Sequence, residues 1–341
     1  MSQLTVEATR GDLVESVHQV SCVVADASGR QVAEAGTPSG VTWWRSAAKP
    51  FQAMPLVEDG AADRWGLGDE ELAIACASHS SEPRHLEVVG RLMERAGIAE
   101  QDLACGPHPP LSPAVHRELL RSGQQPTARW SNCSGKHAAM LALARHHGWP
   151  LAGYCDPGHP VQQRILRSIL EWTGLEAHQV AIGVDGCAAP CFGLPLAAMA
   201  AAWARFAASP LPAAGRLRRA MLAHPFLVAG TGRPCTEIMA AWPGQVIAKI
   251  GAEGVYGAAL PGAGLGVALK VMDGDMRSSA LALVAVLRQL AGHPGLQFPP
   301  GDAAALGSWV DPLIRNTRET VTGRLQVSGS LVFRGGGASN G

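Results

Sequence analysis

Lysine is what this sequence has least of among its charged residues. Of 28 lysines and arginines only four are lysine: Lys49, Lys136, Lys249 and Lys270. Most surface positions accept either cation, so the survivors mark places where a guanidinium does not serve. Arginine stays protonated in proteins, whereas a buried lysine amine can give up its proton and act as a base. An excess of one charge sign is also missing, since 28 acidic side chains balance the 28 basic ones. With no basic stripe to neutralise phosphates, a nucleic-acid or membrane-surface binder is excluded. The opening residues, MSQLTVEATRGDL, have neither a basic start nor an apolar run, so no secretory signal is expected. The most apolar stretch, Phe192 to Ala208, is interrupted by Pro195 and Arg205, and reads as a buried helix rather than a membrane span. Eight cysteines in a long chain without a signal predict reduced thiols and a cytoplasmic setting.

What is present is a chain of 341 residues, 47% apolar, long enough to bury a large core. We expect residues 1–341 to form a single compact catalytic unit. The run HQVSCVVADASGRQVAEAG predicts a hairpin around Ala27-Ser28-Gly29. Helical spacing then dominates, in DEELAIACAS, EPRHLEVVGRLMERAG, GKHAAMLALARHHG and HPVQQRILRSILEWTG. In SPAVHRELLRSG, Ser112 reads as N-cap, Pro113 as the first helical residue and Gly123 as the stop. Later, HQVAIGVDG reads as a strand entering a loop, and Gly244 to Gly274 as up to three short strands joined by Gly-rich turns. A last helix follows in DMRSSALALVAVLRQLAG, and residues 335–341 read as a flexible tail. The expected fold is α/β (α+β): an antiparallel sheet from N- and C-terminal segments, with a helical subdomain over about residues 82–180.

Four clusters could carry chemistry. In TWWRSAAKPFQ, Ser46 and Lys49 stand three apart, which on a helix puts the amine within reach of the hydroxyl. A desolvated lysine there can take the serine proton and make Ser46 a nucleophile. Pro50 opposes helical geometry just before it, so the turn is distorted or the helix begins later than Ser46. Trp43 and Trp44 are expected to pack rather than line a site. In CASHSSEPRH, Ser80 or Ser81 is expected to cap the following helix, leaving Ser78 and His79 for substrate contacts or a relay. In WSNCSGKHAAM, the Asn132 amide suits a carboxylate or carbonyl. Cys133 with Cys187 of VDGCAAPC could form a two-thiolate site, for which His137, Asp185 or Cys191 are the ordinary further ligands. In AKIGAEG, Lys249 falls on a strand whose glycines let a substrate approach the edge. Lys270 reads as an ordinary strand-end lysine.

The order S-x-x-K, a Ser/Asn cluster, then Lys-x-Gly is that of penicillin-recognising serine enzymes and β-lactamase-like glutaminases. WSNCSG departs from their S-D-N motif. A fuller match lies elsewhere: WRSAAKPFQ, ASHSSEPRH, NCSGKHAAM, DGCAAPCFGLPL and AKIGAEG together resemble the L-asparaginase family of the thermolabile rhizobial type. The resemblance runs from about Val41 to Lys270.

That resemblance implies a serine β-lactamase-like fold and an L-asparagine amidohydrolase, usually a homodimer. It implies two Ser-Lys pairs, Ser46 with Lys49 and Ser78 with Lys249. It also implies a zinc site on Cys133, Lys136 and Cys187, with Asp185 and His137 nearby. A lysine ligand must be deprotonated, which gives Lys136 a reason not to be arginine. Arg45 and Asp185 have the charges to meet the substrate's α-carboxylate and α-amine, with Asn132 and His137 as further substrate contacts. The rival readings are a glutaminase or related β-lactamase-like amidase, and a non-catalytic zinc-dependent amino-acid-binding protein that would not need the Ser-Lys pairs.

Overall fold

The computed structural model describes residues 3–334, so the expected tail at 335–341 lies outside the described residues. The chain divides into two compact units. The first is built from residues 3–47, 194–208 and 237–334, and the second from residues 48–193 and 209–236.

The first unit is the expected antiparallel sheet from both ends of the chain. Among the described residues it has nine strands. Leu13–Asp26 lies at its centre, pairing on one side with Leu4–Arg10 and on the other with Leu265–Val271, and also with Gln31–Ala35. The hairpin around Ala27-Ser28-Gly29 is therefore present, with Gly29 in the left-handed region at φ 89°. The three strands anticipated after Gly244 are Ile247–Gly251, Val255–Leu260 and Leu265–Val271, paired in succession. These strands are buried along nearly their whole length. Their continuous apolar character follows from the helices Leu196–Ala208 and Met276–Ala291 packed on the sheet. Leu4–Arg10 and Val321–Gly329, which the sequence reading passed over, pair with each other in the register Ala8 to Leu325.

Two glycines set how close the first of those helices can come. A Cβ on Gly266 would lie 2.1 Å from the Ala204 backbone nitrogen, and one on Gly257 would lie 1.9 Å from Trp203 Nε1. The helix backbone therefore rests directly on the strands, with Trp203 fully buried in the contact. Its alanine-rich composition is the complement of that seat. Among the described residues no helix is long and apolar enough to cross a membrane.

The second unit is helical and wider than the expected 82–180, because helices before and after that window pack into it. Lys49–Glu58 joins at the front and Pro212–Ala223 at the back. A hairpin of Ala181–Val184 with Pro190–Pro195 also belongs to it as far as Gly193. Pro113–Ser122 is bounded as anticipated, with Ser112 Oγ accepting from Val115 N–H and Gly123 left-handed at φ 66°. The apolar helix Ser134–His147 has residues 134–144 all buried. Its first turn lies against the end of Asp69–Ala75, where a Cβ on Gly135 would stand 2.2 Å from the Ile74 carbonyl oxygen.

Candidate functional site

Lys49 opens the helix Lys49–Glu58, and a 3-10 turn over Arg45–Ala48 precedes it. The helix thus begins later than Ser46, one of the two outcomes expected from Pro50. Arg45 takes the left-handed region at φ 51°, which a residue with a Cβ seldom adopts. Beside this turn, in the sheet unit, runs Ile247–Gly251. A Cβ on Gly251 would come within 3.1 Å of the Trp44 carbonyl oxygen and 3.3 Å of the Ala47 nitrogen. A side chain there would press on the turn, so glycine eases the close approach of turn and strand. Trp44 is fully buried, whereas Trp43 is exposed. Lys249, on that strand, is fully buried and donates from Nζ to the Ile250 carbonyl at 2.8 Å.

In the helical unit the buried Lys49 amine is the hub. Its Nζ donates to Ala77 O at 2.5 Å, Ser78 Oγ at 2.9 Å and Cys133 Sγ at 3.2 Å. These three acceptors partner the buried amine on every side. Ser78 follows the helix Asp69–Ala75, and its own N–H is tied to Val228 O. Neither Ser80 nor Ser81 caps the helix Pro83–Ala96, as had been expected. Ser80 Oγ donates to Ala229 O and Ser81 Oγ to Trp130 O, so the hydroxyls serve neighbouring loops. The cap falls to Glu82, whose N–H donates to His85 Nδ1.

A second cluster adjoins the first through Cys133. Cys133 precedes the helix Ser134–His147, and Cys187 sits in the loop between the two hairpin strands. Lys136 Nζ donates to Cys187 Sγ at 3.0 Å. The Cys133 thiol is held well below its usual range by the Cys187 hydrogen bond, against burial, with help from the charges of Lys49 and Lys136. Cys187 is pushed up by donating that hydrogen bond and by burial. Burial works against the charge on Lys136, but the two sulfurs and Asp185 outweigh it and raise the amine above its ordinary value.

The ordinary completion of the thiol pair is not realised. No group of three or more His, Cys, Asp and Glu gathers around one point among the described residues. His137, next along the helix, turns toward Tyr154, whose hydroxyl lies 2.5 Å from His137 Nδ1. Tyr154 Oη also accepts from Ala104 N–H at 2.9 Å. Burial, with Lys136 and Lys49 nearby, pushes His137 well below its usual value, so the ring is neutral. The Asp185 carboxylate accepts from Gly186 N–H at 2.8 Å. Lys136 is thus the nitrogen beside the sulfurs. Two sulfurs and an amine are a donor set that suits a thiophilic divalent cation such as zinc with one open position, provided the amine loses its proton. Asn132 is half-buried, with its N–H bonded to His108 Nε2 at 2.8 Å and its carbonyl accepting from His79 N–H.

The structure therefore gathers Lys49, Ser78, Cys133, Lys136 and Cys187 in the helical unit, with Asn132 and His137 beside them in sequence. Ser46, Arg45 and Lys249 belong to the sheet unit, where the turn and the strand face one another. Sequence reasoning missed Tyr154, His108 and Ser134. Tyr154 carried a usable signal, since the chain has only two tyrosines. Nothing in the sequence marked the other two.

The family model for L-asparaginase II matches residues 6–327. Among curated proteins nothing matches the chain. Of solved structures, a β-lactamase from Mycobacterium bovis is 13% identical over 76% of this chain and 89% of its own, with a TM-score of 0.40. Simvastatin synthase from Aspergillus terreus is 11% identical over 77% of this chain and 91% of its own, at 0.34. Superpositions this loose carry no argument.

Proposed function

Because the chain belongs to the L-asparaginase II family, we propose that it hydrolyses L-asparagine to L-aspartate and ammonia through a Ser-Lys acyl-enzyme. The observation that carries the proposal is Lys49: fully enclosed, with Nζ 2.9 Å from Ser78 Oγ. A lysine so placed can exchange protons with a serine hydroxyl without a histidine. In the scheme, Lys49 in its neutral form accepts the Ser46 proton, and Ser46 attacks the side-chain amide carbon. The carbon–nitrogen bond breaks as ammonia takes a proton relayed through Ser78, and Lys249 is assigned to the same relay. Water then attacks the ester and releases aspartate, and Ser46 recovers its proton. Arg45 and Asp185 are assigned by charge to the substrate's α-carboxylate and α-amine, with Asn132 and His137 as further substrate contacts.

Cys133, Lys136 and Cys187 would hold a zinc ion, which when bound supplies a positive charge that orients the substrate. Ser-Lys chemistry does not require a metal-bound hydroxide, so zinc is assigned no proton-transfer step. A homodimer and a cytoplasmic setting complete the reading, and the eight cysteines, all free thiols, suit a reducing compartment.

The test is ammonia release from L-asparagine and L-glutamine by wild type, Ser46→Ala, Ser78→Ala and Lys49→Arg, with zinc quantified in each. Activity on asparagine that all three substitutions abolish, at unchanged zinc, supports the proposal. A wild type inactive on both amides sinks it and favours zinc-dependent amino-acid binding. A preference for glutamine would move the assignment by one methylene.

A further inference from the structure

Ser78 and Cys133 lie on separate segments, yet Lys49 must touch both at once. One residue further along each segment is a second cross-connection. His79 Nε2 lies 2.9 Å from Ser134 Oγ, and both side chains are fully buried. His79 N–H also donates to the Asn132 carbonyl at 3.2 Å.

The polarity of the side-chain bond follows from the neighbours. Ser81 N–H donates to His79 Nδ1 at 3.2 Å, so Nδ1 is unprotonated and the proton sits on Nε2, directed at Ser134. Ser134 Oγ in turn donates to Arg129 O at 2.9 Å. Every polar atom of both side chains is thereby committed, so neither is available to substrate, contrary to the role anticipated for His79. The ring is also held flat: it stacks on His85 at 5.3 Å between centroids, and His85 stacks on Phe226 at 4.6 Å. His85 is itself fixed by Glu82 N–H at Nδ1 and Phe226 O at Nε2.

We propose that the His79–Ser134 hydrogen bond is a positioning strut that sets the spacing of Ser78 and Cys133, and with it the seat of Lys49. The strut acts on a site whose chemistry is the proposed amidohydrolysis, and its catalytic consequence rests on that reading. His79 touches neither substrate nor reacting atoms. It works through the two residues that precede each end of the strut.

Two substitutions of His79 separate the strut from bulk packing. Gln places an amide N–H near the position of Nε2 and keeps the bond to Ser134. Asn reproduces the Nδ1 acceptor for Ser81 N–H but falls short of Ser134. A loosening of the order of 1 Å at a reacting centre costs about 10²-fold in rate. His79→Asn and Ser134→Ala should therefore each lower kcat by about 10- to 100-fold, with KM within about threefold of wild type. His79→Gln should stay within about threefold of wild type in both constants. The double variant His79→Asn/Ser134→Ala should be no slower than the worse single, because both remove the same bond. Hydrogen exchange of the backbone amides from Ser131 to His137 gives a readout independent of turnover, and should quicken in His79→Asn and Ser134→Ala alone. Equal behaviour of the Asn and Gln variants, or additive losses in the double variant, overturns the strut. If wild type hydrolyses neither amide, the amidohydrolase reading falls, and the exchange pattern still decides for or against the strut.

Discussion

Glycine does the same thing in both units and for opposite ends. In the sheet unit, Gly257 and Gly266 let the helix Leu196–Ala208 settle onto the strands, and what is buried there is largely apolar, the Trp203 indole included. In the helical unit, Gly135 lets the helix Ser134–His147 settle onto the Ile74 carbonyl, and what is buried beyond it is a network of two lysine amines, two sulfurs and a hydroxyl. The first contact gains from apolar area removed from water. The second is stable only because each buried polar atom has a partner, so it is intolerant of any single deletion. Close approach alone does not mark a functional region; what it encloses does.

The sharpest way to break the comparison is Lys49→Arg. Its guanidinium keeps the charge but cannot give up a proton at working pH, so kcat should fall by about 10³-fold, within the range for losing a general base. The protein should remain folded, as judged by an unchanged far-UV spectrum. Next come Gly266→Ala and Gly135→Ala. Overpacking of this kind costs about 1–3 kcal/mol or more, and both should lower the unfolding midpoint in denaturant. Only Gly135→Ala should also reduce the turnover of the molecules that stay folded, because Lys136 and Cys133 ride on its turn. If both variants keep full specific activity, the distinction between the two seats fails.

A pH experiment separates the units more gently. Burial lowers the folded-state values of His79 and His137 well below 6.5. The unfolded chain therefore binds more protons than the folded one below about pH 6.5, and stability falls as pH drops through that range. Each such histidine contributes a slope of up to about 1.4 kcal/mol per pH unit. Denaturant titrations between pH 7 and 5 should show this loss, and His79→Gln should remove one histidine's share of the slope. The smallest effect is expected at Arg219, whose contact with Asp69 lies on the surface. Arg219→Ala should shift stability by about 0.5 kcal/mol or less.

Much of this was legible in the residues, and what was not has physical reasons. Caps and stops such as Ser112, Pro113 and Gly123 act locally, so their helix could be bounded in advance. The strands Leu4–Arg10 and Val321–Gly329 were missed although each has a neighbour close in sequence, Leu13–Asp26 and Leu313–Arg315, and their pairing with each other joins distant segments that no local spacing encodes. Lysine scarcity pointed correctly to buried positions at Lys49, Lys136 and Lys249. The i, i+3 argument for Ser46 and Lys49 assumed one continuous helix, whereas the backbone turns through a left-handed Arg45 and a 3-10 segment first. That Lys49 would meet Ser78 and Cys133 depends on the packing of two other segments, which no local spacing encodes. His108 and Ser134 act through a ring nitrogen and a hydroxyl bound to loop backbone, and neither leaves a periodic trace.

The pairing of Ala8 with Leu325 also bears on how the molecule is made. A ribosome releases the first strand, and Leu13–Asp26 beside it, long before Val321–Gly329 exists, so the sheet unit lacks that second pairing until late in synthesis. Through that interval the edge of Leu4–Arg10 is open to strands of other nascent chains. A truncation before Val321 would make the interval permanent, and such a product should collect as aggregate even though every residue of the helical unit is present.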